Sequence, residues 1–203
     1  MSSVESPTIS LVIPTVSRPT LARALASVAG QLWLPGDEVI LVLDGPQPIA
    51  RELAGQFRLP IRIIEVPGPS KNWGHTPRNL VNPIAIGSHI MNLDDDDELA
   101  PNAVAIVRRV ITAIPDRPHI FRMSGHPAVG TVWKEPVIKQ ANVGTPMIVC
   151  PNIPGKVAKF NEHRYAGDFD FIRDTCDHYT DGPVWHEAVI CRVRPFARAT
   201  SGT

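Results

Sequence analysis

Four consecutive aspartates, Asp94 to Asp97, are the residues of this 203-residue chain with the clearest chemical potential. Adjacent carboxylates repel one another, so ionised aspartates beside a buried strand need compensation by a cation or by solvent. Oxygen ligands alone favour Mg²⁺ or Mn²⁺ over zinc, and these ions keep positions open for phosphate oxygens. The run could instead be an acidic turn that complements the dipole of a following helix. On the acid run alone, both interpretations remain open.

The elements around the acid run predict a parallel sheet wrapped by helices, because short apolar stretches alternate with helical patterns in the first half. The predicted strands are 8–13, 39–43, 61–66, 89–93, 120–123, 146–149 and 184–193. The predicted helices are one from Pro19 with Leu21, Leu25, Val28 and Leu32 on one face, 48–57, 78–87, one after Pro101 with Val104, Val107, Ile111 and Ile114 on one face, and 169–178.

Polar residues follow three of the predicted strands. Pro14 and Thr15 come after the first, Asp44 after the second, and the aspartates after the fourth. Ligands of parallel α/β sheets bind outside the carboxyl ends of the strands, so these groups should converge on one crevice.

Composition predicts one domain over residues 1–203, in which the proline-rich, irregular half at 104–203 is typical of an adaptable substrate-binding region. Net charge is zero, which removes the simplest argument for a nucleic-acid or membrane-surface protein, although the second half holds 13 Lys and Arg against 9 Asp and Glu. Neither a signal peptide nor a membrane span is indicated, so we expect a cytoplasmic protein without membrane insertion. The three separated cysteines predict buried free thiols.

The stretch from Leu93 to Pro101 resembles the L-D-x-D-D-x-x-x-P signature of family 2 inverting glycosyltransferases. Two further stretches agree in order: Ile13-Pro14-Thr15 with Arg18-Pro19 resembles the opening I-P-T-x-x-R-P, and Asn72-Trp73-Gly74 with Arg78-Asn79 resembles N-x-G followed by A-R-N. The resemblance implies the GT-A fold, an α/β architecture with a Rossmann-like, mostly parallel central sheet flanked by helices. In a single GT-A domain, residues 1–103 would form the nucleotide-sugar-binding half and residues 104–203 the irregular C-terminal acceptor half. The processive signature Q-x-x-R-W is absent, which favours single transfers.

The same resemblance implies a nucleoside-diphosphate-sugar donor, with a UDP-sugar favoured, and Mn²⁺ or Mg²⁺ as cofactor. Thr15 and Asp44 would contact the base or ribose and Arg78 the phosphates. The implied nucleotide-sugar-binding set is Pro14, Thr15, Arg18, Asp44, Arg78, Asn79, Asp94 and Asp95. Asp94 and Asp96 would hold the metal. GT-A enzymes often take another ligand from a late histidine, which makes His186 a candidate, although a lone histidine is more often a hydrogen-bonding residue.

An inverting transfer needs a carboxylate that takes the proton from the acceptor hydroxyl. The stretch from Ala166 to Phe171 resembles the family's E-D-x-D-F element, in which the second acid is the base. Asp168 is therefore the predicted base, with Asp170 in reserve, and Gly167 replaces the usual glutamate. The alternative role for Asp168 is a helix N-cap.

Two other functions compete with a hexosyltransferase. A sugar-phosphate nucleotidyltransferase would carry a glycine-rich loop after the first strand, where this chain has no glycine. A non-catalytic nucleotide-sugar or carbohydrate-binding module would keep the fold without turnover. The acceptor could be a glycan or another hydroxyl compound, and the mildly basic second half also permits hydroxymethylated DNA of phage type.

Overall fold

The computed structural model describes residues 6–126 and 130–193. The strands in these ranges are β1 (Ile9–Thr15), β2 (Glu38–Asp44), β3 (Ile61–Val66), β4 (His89–Asn92), β5 (Asp97–Leu99), β6 (His119–His126), β7 (Gly130–Val132), β8 (Ile148–Pro151) and β9 (Val184–Val193). The helices are α1 (Leu21–Ala29), α2 (Pro48–Ala54), α3 (His75–Val81), α4 (Ala103–Ala113) and α5 (Gly167–Asp177). None of the described helices is long and apolar enough to cross a membrane, which takes about 20 residues.

The strands form one mixed sheet in the order β3-β2-β1-β4-β8-β6-β9-β5, with β7 paired to β6. The strands β3, β2, β1 and β4 are mutually parallel. Beyond β4 the sheet becomes mixed, because β8 is antiparallel to β4 and β6, whereas β9 is parallel to β6. The chain leaves β1 towards β2 and β3 and returns on the other side as β4. The carboxyl end of β1 is therefore a topological switch point, where α/β sheets bind ligands.

The core lies on both sides of the parallel strands, and every residue of β1 and β2 is buried. The predicted apolar faces of α1 and α4 are the buried faces, with Leu21, Leu25 and Val28 on α1. Each such side chain contributes about 1.5–3 kcal/mol to folding. The predicted face of the first helix extends too far, because α1 ends at Ala29 and Leu32 is 65% exposed. All three cysteines are buried with free thiols.

Three elements differ from the sequence predictions. The helix predicted at 78–87 is α3, which begins at His75 directly after Gly74, a residue with φ of 78°. Pro77 is compatible with this start because the first-turn N–H groups of a helix have no intrahelical partner. The three-residue strands β5 and β7 were not predicted, because segments this short carry no periodicity and are defined by pairing with β9 and β6.

Candidate active site

The aspartates after β4 lie in a turn that directs their side chains to different surroundings. The side chains of Asp94 and Asp96 are 39% and 26% exposed, whereas Asp95 and Asp97 are buried. Asp95 accepts a hydrogen bond of 2.7 Å from the Thr15 hydroxyl, which ties the acid run to the end of β1. Asp97 is the first residue of β5. The run therefore presents Asp94 and Asp96 as its more accessible carboxylates.

Arginine side chains compensate part of this negative charge. Arg18 Nη1 lies 2.7 Å from Asp96 Oδ2 and 3.3 Å from Asp95 Oδ1, and the buried Arg78 pairs with Asp94. Cationic side chains of the chain itself therefore supply part of the compensation that the carboxylates need. Burial, followed by the negative charge of Asp94, nevertheless raises the pKa of Asp96. Compensation is incomplete, so an additional cation would still be stabilised here.

The donor set of Asp94 and Asp96 fits a hard divalent cation. Both carboxylates line one cavity, and oxygen ligands are those that Mg²⁺ and Mn²⁺ prefer. Within residues 6–126 and 130–193, no group of three or more His, Cys, Asp or Glu side chains is arranged to hold a metal ion. An ion at this place would need phosphate oxygens or water as further ligands, which is the usual mode of Mg²⁺ binding.

A cleft of about 300 Å³ opens at the carboxyl ends of β1 and β2. Six of the eight predicted nucleotide-sugar-binding residues line this donor cleft: Pro14, Thr15, Arg18, Asp44, Asp94 and Asp95. Lys71, Asn72 and Trp73 also line it, and no role was predicted for Lys71. They belong to the loop between β3 and α3, where Lys71 and Trp73 have positive φ. The loop could have been identified from its position after a parallel strand.

Asp44 is held in a fixed orientation at the donor cleft. The backbone N–H of Ser70 donates to both carboxylate oxygens at 3.0 and 3.1 Å, and the Ser70 hydroxyl lies 2.7 Å from Oδ2. This contact requires glycine at position 68, since a Cβ there would lie 2.2 Å from Asp44 Oδ1. The loop therefore orients the carboxylate before any ligand binds.

A second cavity of about 540 Å³ lies on the other side of Asp94 and contains Asp168. We call it the acceptor cavity. Asp168 is in the first turn of α5, and Ala166 is the N-cap, so the alternative role of Asp168 as the cap is not observed. Burial raises the pKa of Asp168, the Phe169 N–H lowers it, and the nearby Asp94 charge raises it further. Asp168 is therefore a partly buried carboxyl with increased basicity, as a general base requires.

Asp170, the reserve candidate for the base, points away from the acceptor cavity. It is buried and accepts a 3.1 Å hydrogen bond from Asn161 Nδ2. Arg164 and Arg173 lie 3.6 and 3.4 Å from its carboxylate oxygens. These contacts give Asp170 a structural role in fixing α5 against the preceding segment.

Arg78 and Asn79 are not brought to the donor cleft. Arg78 is 1% exposed, donates to the Trp73 carbonyl at 3.1 Å and forms an ion pair with Asp94. Asn79 exchanges hydrogen bonds of 2.8 and 2.9 Å with the backbone of Phe160 and donates to Glu162 at 2.8 Å. The two terminal nitrogens of Arg78 and the Asn79 amide have protein partners, whereas the buried Arg78 Nε has no hydrogen-bond partner. Neither residue lines the donor cleft, and their contact with a nucleotide stays a prediction.

His186 is also distant from the acid run. It lies near the start of β9, whereas Asp97 pairs with Val193 at the end of this strand. A strand rises about 3.3 Å per residue, so the seven residue steps from His186 to Val193 span roughly 23 Å. His186 Nε2 instead lies 2.9 Å from His119 Nδ1, and its ring stacks on Phe121. Burial, followed by the charge of His119, lowers the pKa of His186 to about 4. The structure does not support His186 as a ligand of the same metal as Asp94 and Asp96.

The sequence profile described as Glycosyl transferase family 2 matches residues 10–196, which is most of the chain. The chain belongs to this family. The predicted family is therefore confirmed. None of the curated proteins matches it by sequence.

Solved structures show the same fold as this chain at low sequence identity. S. aureus TarS has a TM-score of 0.77 at 17% identity, over 92% of this chain and 36% of TarS. TarS 1-349 in complex with UDP-GlcNAc has a TM-score of 0.75 at 18% identity, over 91% of this chain and 58% of that chain. The mannosyltransferase PcManGT from Pyrobaculum calidifontis, in complex with GDP-Man and Mn²⁺, has a TM-score of 0.69 at 15% identity, over 96% of this chain and 59% of that one. These similarities confirm the predicted GT-A fold. The chain spans between about a third and three fifths of these structures.

Hydrogen bonds that were not predicted join the loop at the donor cleft to the segment that precedes α5. Asn72 Nδ2 donates to the Thr76 hydroxyl at 2.6 Å, and this hydroxyl donates to Glu162 at 2.6 Å. Glu162 also accepts from Asn79. The loop that lines the donor cleft is thereby tied to the segment that precedes Asp168. Glu162 lies more than 80 residues after both Thr76 and Asn79, so no local sequence pattern reveals the link.

Gly167 replaces the glutamate that is usual in the family, and the structure explains why. A Cβ at position 167 would lie 2.3 Å from the Asn161 carbonyl oxygen and 2.6 Å from His75 Cε1.

We expect Gly167→Ala to lower the free energy of unfolding by about 1–3 kcal/mol, since over-packing forces the backbone to move. Urea unfolding would measure this, with Gly155→Ala as a control for the loss of glycine. Gly155 has open space around it but a φ of 81°, so its own cost arises from backbone strain alone. Unchanged stability of Gly167→Ala would contradict the close contact.

Proposed function

We propose that this chain transfers a hexosyl group from a nucleoside-diphosphate sugar to an acceptor hydroxyl, in one inverting displacement that depends on a divalent cation. The observation that supports this most strongly is the position of Asp94, which lines both the donor cleft and the acceptor cavity. A sugar bound from the donor cleft would place its anomeric carbon at this shared boundary. Asp168 would then face it from the acceptor side.

The donor is a nucleoside-diphosphate sugar, and we favour UDP as the nucleotide. Asp44 and Thr15 lie at the ends of adjacent strands, where they would recognise the base and ribose. Ser70 already holds the Asp44 carboxylate in a fixed orientation. Two of the similar structures contain UDP-GlcNAc and GDP-Man, which supports this class of donor. Mn²⁺ or Mg²⁺ would be held by Asp94 and Asp96, and it would stabilise the negative charge that develops on the leaving diphosphate.

Asp168 would act as the general base. The acceptor oxygen forms a bond to the anomeric carbon while the bond from this carbon to the diphosphate oxygen breaks, and the acceptor proton passes to Asp168. One displacement of this kind inverts the anomeric configuration. Arg78 would hold Asp94 in place, and Arg18 would keep Asp95 and Asp96 ionised. The absence of Q-x-x-R-W supports single transfers rather than polymerisation.

A thermal-shift panel of nucleoside diphosphates and their sugars, with and without Mn²⁺, tests the proposal. A ligand at about 100 times its Kd stabilises the folded state by about 2.7 kcal/mol, so the correct donor should raise Tm by several degrees only with the metal. Donor hydrolysis then separates an enzyme from a non-catalytic binding module, because only the enzyme releases the nucleoside diphosphate. A panel without a metal-dependent shift would contradict the proposal.

Asp44→Ala should weaken donor affinity without changing the turnover number at saturation. A hydrogen bond to a charged group contributes about 1.5–3 kcal/mol, so we expect Kd to rise about 10- to 100-fold. Glu65→Ala is the matched control, since Glu65 lies on the neighbouring β3 and is half-exposed and paired with Arg51 outside the cleft. Calorimetry and initial rates measure the two effects. Normal affinity with lost turnover would assign Asp44 a different role.

The pH profile should report the raised pKa of Asp168. A general base must be ionised, so kcat/KM should rise with pH through a pKa above the ordinary aspartate value of about 3.9.

The same shift has the opposite effect on stability. A carboxyl with a higher pKa in the folded state binds more protons when folded, so its stabilising contribution is lost as pH rises through the folded pKa. Asp168→Asn should therefore melt above the parent chain at neutral pH, and this advantage should shrink below about pH 4. A lower Tm at neutral pH would contradict this.

A further inference from the structure

A series of side-chain hydrogen bonds leads from the donor cleft to the segment that precedes α5. The Ser70 hydroxyl lies 2.7 Å from Asp44 Oδ2 and 2.8 Å from Asn72 Oδ1. Asn72 Nδ2 donates to the Thr76 hydroxyl at 2.6 Å, and this hydroxyl donates to Glu162 Oε2 at 2.6 Å. We call these residues the polar link. It begins at a carboxylate that lines the donor cleft and ends near the start of α5.

The Ser70 hydroxyl is the point at which a nucleotide would act on the polar link. A hydroxyl carries one proton, so this group donates to Asp44 or to Asn72 but not to both at once. Hydrogen bonds to a carboxylate are the stronger ones, so Asp44 is the favoured acceptor in the free protein. A nucleotide hydroxyl or N–H that donates to the same carboxylate would share its negative charge and weaken the bond from Ser70. Donation to Asn72 would then be favoured.

Glu162 joins α3 to the segment that precedes α5 through both of its carboxylate oxygens. Oε2 accepts from Thr76, and Oε1 accepts from Asn79 Nδ2 at 2.8 Å. These two hydrogen bonds lower the pKa of Glu162, so the group is an ionised acceptor at neutral pH. Because Glu162 is partly exposed, water can replace it as a hydrogen-bond partner. Its removal should therefore affect the relative position of these elements more than folding.

The segment that precedes α5 carries this placement to the proposed base. The Asn161 carbonyl accepts from His75 Nδ1 at 2.9 Å, and Asn161 Nδ2 donates to Asp170 at 3.1 Å. Gly167 packs so closely against the same carbonyl that a Cβ there would lie 2.3 Å from it. A shift of the segment relative to α3 would therefore move the first turn of α5, in which Asp168 lies.

We propose that Glu162 is a positioning residue for the transfer, which couples occupation of the donor cleft to the placement of Asp168. This rests on the proposed function of the site. Through the polar link, α3 holds the loop at the donor cleft and the first turn of α5 together, so the donor and the base keep a fixed separation. When a nucleotide engages Asp44, the Ser70 hydroxyl turns away from it. The remaining bonds of the polar link then become stronger, because consecutive hydrogen bonds polarise one another.

Hydrogen exchange of the full chain measures this coupling, with UDP and Mn²⁺ as the probe, or GDP if only GDP raises Tm. UDP would occupy the donor cleft without bringing a sugar towards the acceptor cavity, so slower amide exchange in residues 167–171 would report the link. Coupling between sites is typically 5- to 150-fold, so we expect this exchange to slow at least about fivefold in the parent chain. In Glu162→Ala and Ser70→Ala, UDP should still protect residues 67–74 but no longer slow residues 167–171.

Variants of Thr76 provide a second test on α3. Thr76→Val should behave as Glu162→Ala does, because it removes the hydroxyl between Asn72 and Glu162, whereas Thr76→Ser should retain most of the coupling. Thr112→Val is the matched control, since it removes a hydroxyl that donates to a carbonyl within α4 at an exposed position. Equal slowing of α5 in Glu162→Ala and the parent chain would overturn the proposal, as would a parent chain in which only residues 67–74 respond.

Donor hydrolysis tests whether Glu162 acts through the base, and water is the acceptor in this reaction. With the nucleotide sugar that gives the largest thermal shift, Glu162→Ala should slow hydrolysis about tenfold, since small misplacements of a reacting group have large effects on rate. In the Asp168→Asn background the same change should have little further effect, because both substitutions then disable one function. Losses that multiply would overturn the proposal. Failure of the proposed function differs, because no nucleotide would then protect residues 67–74 of the parent chain.

Discussion

Replacing Asp168 by Asn should lower the turnover number about 10²- to 10⁴-fold, while donor and metal binding stay normal. The amide has nearly the shape of the carboxylate but cannot accept the proton that the acceptor hydroxyl loses. The substitution also removes a partly buried charge, so the folded state should persist. Steady-state transfer assays and calorimetric donor titrations measure the two quantities. Donor hydrolysis by water should fall less than transfer, because water needs less exact alignment with the base.

Asp170→Asn is the matched control for Asp168→Asn. It removes the same group two residues along α5, from a carboxylate that pairs with Arg164 and Arg173 outside the acceptor cavity. We expect this variant to lose stability and to retain a larger part of its turnover number. Inactive Asp170→Asn with active Asp168→Asn would move the base to Asp170. A product with retained anomeric configuration, observed by NMR, would exclude the single displacement.

Asp96→Asn should abolish metal-dependent donor binding, with an affinity for Mn²⁺ and donor that falls about 100-fold or more. Replacing a residue that only orients a metal ligand typically lowers metal affinity or activity 10- to 100-fold, so replacing a ligand should lower it at least as much. The fold should remain intact because burial and Asp94 already raise the pKa of Asp96, which shows that its charge is unfavourable in the free protein. The Mn²⁺-dependent thermal shift and calorimetry with the nucleotide are the measurements.

Glu98→Gln separates a specific ligand effect from a general loss of negative charge. Glu98 lies two residues beyond Asp96, and its carboxylate is 2.5 Å from Arg23 Nε rather than in either cavity. This control should keep the metal-dependent shift. An Asp96→Asn variant that binds donor and Mn²⁺ like the parent chain would remove Asp96 from the metal site. In contrast to Asp168→Asn, the Asp96 variant should depress transfer and donor hydrolysis together, since both need stabilisation of the leaving group.

The donor side of the site was largely predictable from sequence. Thr15, Asp44 and the aspartates follow apolar strands, and parallel strands bring their carboxyl ends to one edge. The resemblance to family 2 then connected these residues to a nucleotide sugar. The position of Lys71 at the donor cleft was not predicted, because the conformation of its loop, where Lys71 has a positive φ, depends on the tertiary structure.

Roles that depend on distant partners were not predictable. Asn79 belongs to a stretch that resembles a family motif, yet its side-chain amide forms hydrogen bonds with Phe160 and Glu162, more than 80 residues later. Arg78 lies beneath Asp94, and a local pattern cannot show whether an arginine faces a ligand or a carboxylate. His186 is late in the chain, as the resemblance suggested, but its position in β9 places it at the far end of the strand from the acid run.

The sequence by itself determined the family, the helices and all strands except β5 and β7, and the acids that follow the strand ends, because hydrophobic periodicity and short motifs are local properties. Only the tertiary structure decided which side chains face a cavity and which face one another. Asp168 and Asp170 illustrate the difference, since two aspartates two residues apart are chemically equivalent in the sequence. Helical geometry turns residues two apart to different faces, so one enters the acceptor cavity while the other pairs with arginines. The lining of the acceptor cavity was likewise hidden, because its four carboxylates come from two segments about 70 residues apart that meet only when the sheet has formed.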